Sequence, residues 1–168
     1  MQKRFQTADI MDWHPNTPSC DIQFRSFGTR RSFCGKIRTV RCDRDNGLVR
    51  QIVKNGSEGE VLVIDGGGAL THALMGDMLA TIAMENGWAG AVIFGAIRDI
   101  DTINHLNFGI KALGTNPRVG TKTGAGEIDV AVEFGGVTFT PGHYLYSDAD
   151  GILVAETAYV LPEPPTPY

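Results

Sequence analysis

In residues 61–65 (VLVID) apolar positions run unbroken up to the closing aspartate, and they do so again through 91–94 (AVIF). Continuous runs of this length, bounded by turn residues, predict strands buried on both faces. Between them Met78, Leu79, Ile82 and Ala83 recur at helical spacing, and Gly87 is placed to follow that helix as its C′ residue. Strand, helix and strand within about 35 residues predict a βαβ unit with a right-handed crossover. Upstream, residues 33–41 (FCGKIRTVR) alternate apolar and polar positions, the period of a half-buried strand. Residues 45–54 predict a short helix that Asn55-Gly56 stops. Another is predicted over 6–14, with Thr7 as N-cap and Pro15 and Pro18 past its end.

The last third changes character. VAVEF and VTFT flank Gly135-Gly136, and a two-glycine loop predicts a β-hairpin because primed turns need positive φ. Pro141-Gly142 turns the chain into YLYS, and residues 148–151 turn it again into ILVA. The proline-rich LPEPPTPY cannot be helical and is expected to fray or dock as an extended tail. No repeat or linker divides the chain. One α/β domain over residues 1–160 follows, a strand-rich sandwich or barrel with peripheral helices, with the tail at 161–168.

Composition narrows the function classes. A 42% hydrophobic fraction supports a packed core, and 20% charged residues is ordinary. The net charge is −4, and no Lys/Arg block exceeds Arg30-Arg31, so the footprint of a nucleic-acid binder is missing. A partner protein with basic segments suits this surface better than RNA. Cys20, Cys34 and Cys42 are odd in number and form no CxxC, which predicts inert reduced thiols in a cytoplasmic protein. No apolar stretch has secretory or membrane-spanning length, so neither export nor a membrane is expected.

The chemistry concentrates in residues 76–101, GDMLATIAMENGWAGAVIFGAIRDID. Asp77 opens the predicted helix, and Arg98-Asp99 follow the next strand. In a βαβ unit these ends meet at the edge where parallel sheets bind ligands. Two carboxylates suit a hard divalent cation such as Mg²⁺, and an arginine fork matches a carboxylate or enolate. The amides of Gly76, Asp77, Met78 and Leu79 can take an anionic group. A plainer alternative is that Asp77 and Asp99 merely cap helices, the second over residues 100–106, with Arg98 as their salt-bridge partner.

VLVIDGGGALTHALMGDMLATIAMENGWAGAVIFGAIRDID, GIKALGTNPR and FGGVTFTPGHYLYSDADGILV together resemble one family over roughly residues 5–155. It is the family of the pyruvate-type metal aldolases and the regulator of ribonuclease activity A. The resemblance implies a swivelling β/β/α fold and a homotrimeric ring with sites near the subunit interfaces. Its aldolases carry an aspartate, twenty intervening residues and Arg-Asp, and Asp77 with Arg98-Asp99 matches that spacing. The resemblance implies a divalent-metal lyase (Mg²⁺ or Mn²⁺) that cleaves short 2-keto acids to pyruvate, an aldolase for 4-hydroxy-4-methyl-2-oxoglutarate or an oxaloacetate decarboxylase. Asp99 would ligate the metal, and Arg98 would hold the substrate's carboxylate and keto oxygen. Residues 76–79 would bind substrate through their amides, and Asp77 would orient water at the metal. The family's other known role implies an alternative, a non-catalytic inhibitor of an RNA-degrading enzyme of the RNase E type acting by protein contact. Dedicated aldolases of the family take an acidic residue from a C-terminal extension, for which only Glu156 or Glu163 could stand in here.

Other features are expected to be structural. Gly66-Gly67-Gly68 follows a strand but lacks GxGxxG and a Walker lysine, which predicts a tight turn and argues against an S-adenosylmethionine methyltransferase. Residues 148–151 lack the further ligands of a calcium loop. His14, His72, His105 and His143 have no ligand spacing. Trp13 and Trp88 read as packing residues, Trp88 over the core or the trimer interface.

Overall fold

The computed structural model describes residues 5–56 and 58–161. Its centre is a set of parallel strands. These are β2 (Phe33–Arg41), β3 (Val61–Asp65), β5 (Gly90–Ile97) and β6 (Ile110–Thr115), lying in the order β6-β5-β3-β2. Antiparallel strands extend both sides. β1 (Arg25–Phe27) borders β6, while β10 (Tyr144–Ser147) and then β11 (Ile152–Ala155) border β2. Two short strands complete a nine-stranded sheet among the described residues: β4 (Ala73–Met75) beside the end of β5, and β7 (Glu127–Ile128) beside the end of β2. The whole is a curled, half-barrel sheet with few helices.

Why the apolar runs are unbroken is visible in the packing. Leu62 and Ile64 of β3 and Ala91 and Ile93 of β5 face a core closed by α2 (Gly47–Lys54) and α3 (Asp77–Glu85). Val61, Val63 and Val92 point the other way, into a second core roofed by the hairpin β8 (Val132–Phe134) and β9 (Val137–Phe139). Successive side chains alternate faces, so a strand between two cores has no polar side. The hairpin turns at Gly135 and Gly136, with φ of 62° and 76°. Within it Phe134 stacks on Phe139 at 4.4 Å and on Phe94 at 4.7 Å.

The βαβ unit is present, with Val61 opposite Gly90 in parallel register and β4 interposed before α3. Gly87, at φ 82°, ends α3. Its amide bonds to Met84 O and that of Trp88 to Ala83 O, the two-bond Schellman stop. Trp88 itself is core: it is buried, and its Nε1 donates to Val53 O at 3.1 Å.

Some expectations change. Thr7 does not cap the first helix, α1 (Thr7–Trp13); Gln6 holds that position. Thr7 donates both its amide and its hydroxyl to Asp148, so the helix start is satisfied from the far end of the chain. Asp148 also accepts from the Asp150 amide, making residues 148–151 an Asx turn. The second helix starts at Gly47, two residues later than expected. Cys42 is buried but Cys34 only half so, although both thiols are pushed up by desolvation, Cys42 to about 12. That is the opposite of an activated cysteine. No helix among the described residues is long and apolar enough to cross a membrane. Glu163 and most of the proline-rich tail lie outside the described residues.

Candidate active site at the carboxyl edge of the sheet

β4 and β5 run parallel, with Met75 beside Ile97, so the residues after each leave the sheet together. Gly76-Asp77 lead into α3, and Arg98-Asp99 lead into α4 (Ile100–Ile103). The Arg98 amide donates to Met75 O at 3.0 Å and ties the two exits. Ligands of parallel sheets bind in this crevice outside the carboxyl ends of the strands.

Asp99 has φ 61° and ψ 38°, the left-handed region, which aspartate tolerates better than most residues. Its Oδ2 lies 3.3 Å from the Asp77 amide and 3.7 Å from Arg98 Nε. Gly76 is needed for space, since its φ of −123° is open to any residue. A Cβ there would stand 2.6 Å from Asp99 Oδ2 and displace the carboxylate. Asp77 is the first residue of α3, and its Oδ1 accepts from the Met78 amide at 2.7 Å. Ala80 N bonds back to Gly76 O, and the Leu79 amide between has no protein acceptor among the described residues. Leu79 buries its side chain, so what it offers the site is that N–H. Met78, at 63% exposure, lies on the rim. Arg98 spends Nη1 on Pro117 O at 3.3 Å, and its side chain is partly exposed.

These groups line one pocket of about 90 Å³, which Asn46 and Arg50 of the α2 start, Val119 and Lys122 complete. The plainer capping alternative is only partly met: Asp99 Oδ2 and Asp77 Oδ1 accept from the first two amides of α3, but Asp99 makes no side-chain cap bond to α4, which ends at Ile103. A larger groove of about 780 Å³ lies elsewhere, lined by Trp13, His14, His143, Glu156 and Tyr159 among others. It gathers no comparable set of carboxylates and guanidinium, so its size does not make it the better candidate. Glu156 belongs to that groove and not to the Arg98 pocket within this subunit. None of the four histidines lines the Arg98 pocket; His14 stacks on Tyr159 at 4.0 Å.

Asp45 does not line the pocket but fastens together the segments that form its second wall. Its buried carboxylate accepts from the hydroxyls of Thr121 and Thr123 at 2.6 Å each. It also accepts from the amides of Gly47 at 3.0 Å, Thr123 at 2.7 Å and Gly124 at 3.0 Å. Burial pushes its pKa up, but the Thr121 and Thr123 hydroxyls and the Gly47 and Thr123 amides outweigh burial and hold it well below the ordinary carboxylate range. The loop carrying Lys122 is thus fastened to the start of α2. Sequence reading missed Asp45, Asn46, Arg50 and Lys122. For Asp45 and Asn46 the only signal was polarity at a predicted helix start, and Arg50 and Lys122 carried none.

The donor set suits a hard divalent ion. Asp99 and Asp77 offer carboxylate oxygen, and no group of three or more His, Cys, Asp or Glu is assembled among the described residues. Mg²⁺-type ions accept one or two carboxylates when water and substrate oxygens fill the other positions.

The fold is thus a half-barrel α/β chain that gathers two carboxylates, an arginine and helix amides at one sheet edge. The chain belongs to the RraA-like family, aldolase/RraA, whose sequence profile matches residues 7–154. That family includes aldolases and decarboxylases as well as ribonuclease inhibitors. The chain is similar to a Geobacillus kaustophilus protein described as S-adenosylmethionine:2-dimethylmenaquinone methyltransferase. Identity is 44% over 93% of this chain and 98% of that one, with a TM-score of 0.91. It is also similar to the RNA-processing inhibitor RraA of Thermus thermophilus, at 41% identity over 97% and 96% of the two chains and a TM-score of 0.87. Streptomyces coelicolor RraAS2, of the RNase ES inhibitor family, is 26% identical over 89% and 77%, with a TM-score of 0.72.

Proposed function

We propose that the protein is a divalent-metal-dependent lyase that cleaves short 2-keto acids to pyruvate, of the 4-hydroxy-4-methyl-2-oxoglutarate aldolase or oxaloacetate decarboxylase type. The observation that carries this reading is the convergence of Arg98, Asp99, Asp77 and the unpaired Leu79 amide in one pocket. Retro-aldol cleavage and β-keto acid decarboxylation share one difficulty, the negative charge that grows on the pyruvate enolate. Mg²⁺ or Mn²⁺ held by Asp99 would supply Lewis-acid stabilisation of that charge. Arg98 orients the substrate carboxylate and keto oxygen through its planar fork. The Leu79 amide adds a fixed donor at the positive end of α3. Asp77, with Oδ1 committed to Met78, has Oδ2 left to orient the water that returns a proton to carbon. Methyl transfer is not carried over from the Geobacillus likeness. Gly67 and Gly68 have φ of 65° and 75°, and the Gly67 amide closes on Asp65 Oδ1 at 2.9 Å, a turn folded on itself.

The purified protein with Mg²⁺ or Mn²⁺ is expected to decarboxylate oxaloacetate faster than the metal alone, and EDTA should abolish the excess. Oxalate, which mimics the planar enolate, should inhibit competitively. We further propose a homotrimer, following the family resemblance; light scattering should return three times the 18.1 kDa chain mass, and a single-chain mass would refute it.

The Thermus likeness supports a second reading, a regulator that inhibits an RNA-degrading enzyme by protein contact. A rate no greater than that of free metal would sink the lyase and leave this one. Stoichiometric inhibition of an endoribonuclease without an RNA gel shift would then be expected, given the net charge of −4.

A further inference from the structure

The groove of about 780 Å³ shares no residue with the Arg98 pocket, and its lining is of a different kind. Trp13, the last residue of α1, is 48% exposed on it, and its indole N–H finds no acceptor among the described residues. His14, Pro15, Pro18 and Tyr159 continue the lining. Tyr159 is held in place from three sides. Its ring stacks on His14 at 4.0 Å, its hydroxyl meets Thr17 Oγ1 at 2.8 Å, and its amide donates to Tyr146 Oη at 2.8 Å. A single exposed tryptophan is ordinary on a protein surface. One that shares a groove with a fixed tyrosine, and carries an unused donor, is the kind of surface that receives a polyproline II segment.

The chain supplies such a ligand at the groove's edge. Tyr159 belongs to the lining, Val160 is 93% exposed, and Leu161 packs against the small core of Ile10, Tyr146 and Leu153. Residues 162–168, PEPPTPY, follow directly and lie outside the described residues. Four of these seven are proline, whose ring sets φ near −65°. A polyproline II segment makes no internal hydrogen bonds, so its carbonyls can accept from an indole N–H, and its ordering is largely done before it docks. At about 3.1 Å per residue, seven such residues reach about 22 Å. Tyr159, two residues before Leu161, stacks on the neighbour of Trp13, which places Trp13 within that reach. We propose that the groove binds the chain's own proline-rich segment, residues 162–168 of the same subunit, with Trp13 as the residue it packs on. The groove is then a recognition surface for proline-rich chain that is kept covered by a tethered ligand.

The test uses the full chain, wild type against a triple variant with Pro164→Ser, Pro165→Ser and Pro167→Ser, which keeps the length of the segment and frees its φ angles. Trp88 is buried, so the tryptophan emission that acrylamide can quench belongs to Trp13. Quenching is expected to be stronger in the triple variant. A synthetic peptide LPEPPTPY should bind that variant, by calorimetry, at least about tenfold more tightly than wild type, where it competes with a tethered copy at roughly millimolar effective concentration. Adding Trp13→Ala to the triple variant should abolish the binding. Equal quenching in the two proteins, or a peptide that binds both alike or neither, would show that residues 162–168 do not fill the groove. Binding that survives Trp13→Ala would place the peptide elsewhere and overturn the inference as well. A fall in mass by light scattering in the triple variant would put the segment on a neighbouring copy, against the same-subunit assignment.

Discussion

Arg98→Lys is expected to lower kcat for oxaloacetate decarboxylation by about 10²-fold or more, the scale for losing one preorganised donor to a developing anion. Lysine keeps the charge but not the planar fork that spans a carboxylate and an adjacent oxygen. Part of the fork is already fixed, since Nη1 is held by Pro117 O and Nε faces Asp99 Oδ2. Metal affinity should change little. Asp99→Asn should act differently although the residues are neighbours. Asparagine tolerates the left-handed backbone that Asp99 occupies, so the turn survives and the variant isolates the charge. Metal affinity should then collapse, measured calorimetrically, with added Mg²⁺ restoring activity only in part. Both side chains are about 40% exposed, so neither change should unfold the protein. Suppose that both variants lose several kcal/mol of stability while the folded remainder stays fully active. The trio would then be a structural ion-pair network, and the proposed site would be wrong.

The elements legible in the sequence were those whose pattern had one dominant cause. β3 and the middle of β5 are sandwiched between two cores, so burial alone wrote their unbroken apolar runs. The Gly87 stop and the Gly135-Gly136 hairpin were legible because positive φ leaves few residue choices. Strands β1, β4, β6 and β7 were not, for identifiable reasons. β6 carries Lys111 as its second residue, a lysine only 4% exposed, and Gly114 near its end, which together erase any run or alternation. β1, β4 and β7 have three residues or fewer, too short for a period to show. Their places are assigned by the neighbours they pair with.

The candidate site divides along the same line. Asp77, Arg98 and Asp99 belong to one βαβ unit, whose geometry follows from local sequence, so their meeting could be expected. Asn46, Arg50 and Lys122 reach the pocket from α2 and from the loop after β6. Nothing local joins those segments. What joins them is a carboxylate, Asp45, bonding to residues 76 to 79 positions away. An aspartate ahead of a helix looks like an ordinary cap, and its partners are common loop residues. Only the fold distinguishes a cap from a rivet.

Asp45→Asn is accordingly expected to cost about 2 kcal/mol of stability in denaturant unfolding at pH 7, and Asp45→Ala more. Asparagine keeps the shape but loses the charge and turns an NH₂ toward a cluster of donors. Because Thr121 and Thr123 are themselves exposed, water replaces part of what is lost, which keeps the figure below that of a sealed ion pair. The pH dependence has a definite sign. The folded pKa of Asp45 lies below its unfolded value of about 3.9, so the stabilisation is complete above that pH. It is lost as the pH falls through the folded pKa, because protonation then costs less in the unfolded chain than in the fold. Wild type and Asp45→Asn should therefore differ at pH 7, with the gap beginning to narrow only below about pH 3.9 and closing as the pH approaches the folded pKa. Amide exchange at Thr123 and Gly124 should quicken in the variant before global unfolding, since those N–H groups donate to the carboxylate. With the loop loosened, Lys122, Asn46 and Arg50 lose their fixed places in the pocket wall. The KM for oxaloacetate should then rise even in conditions where nearly all of the protein is folded. A variant with wild-type stability at both pH values and unchanged exchange would show that the knot is incidental to the pocket.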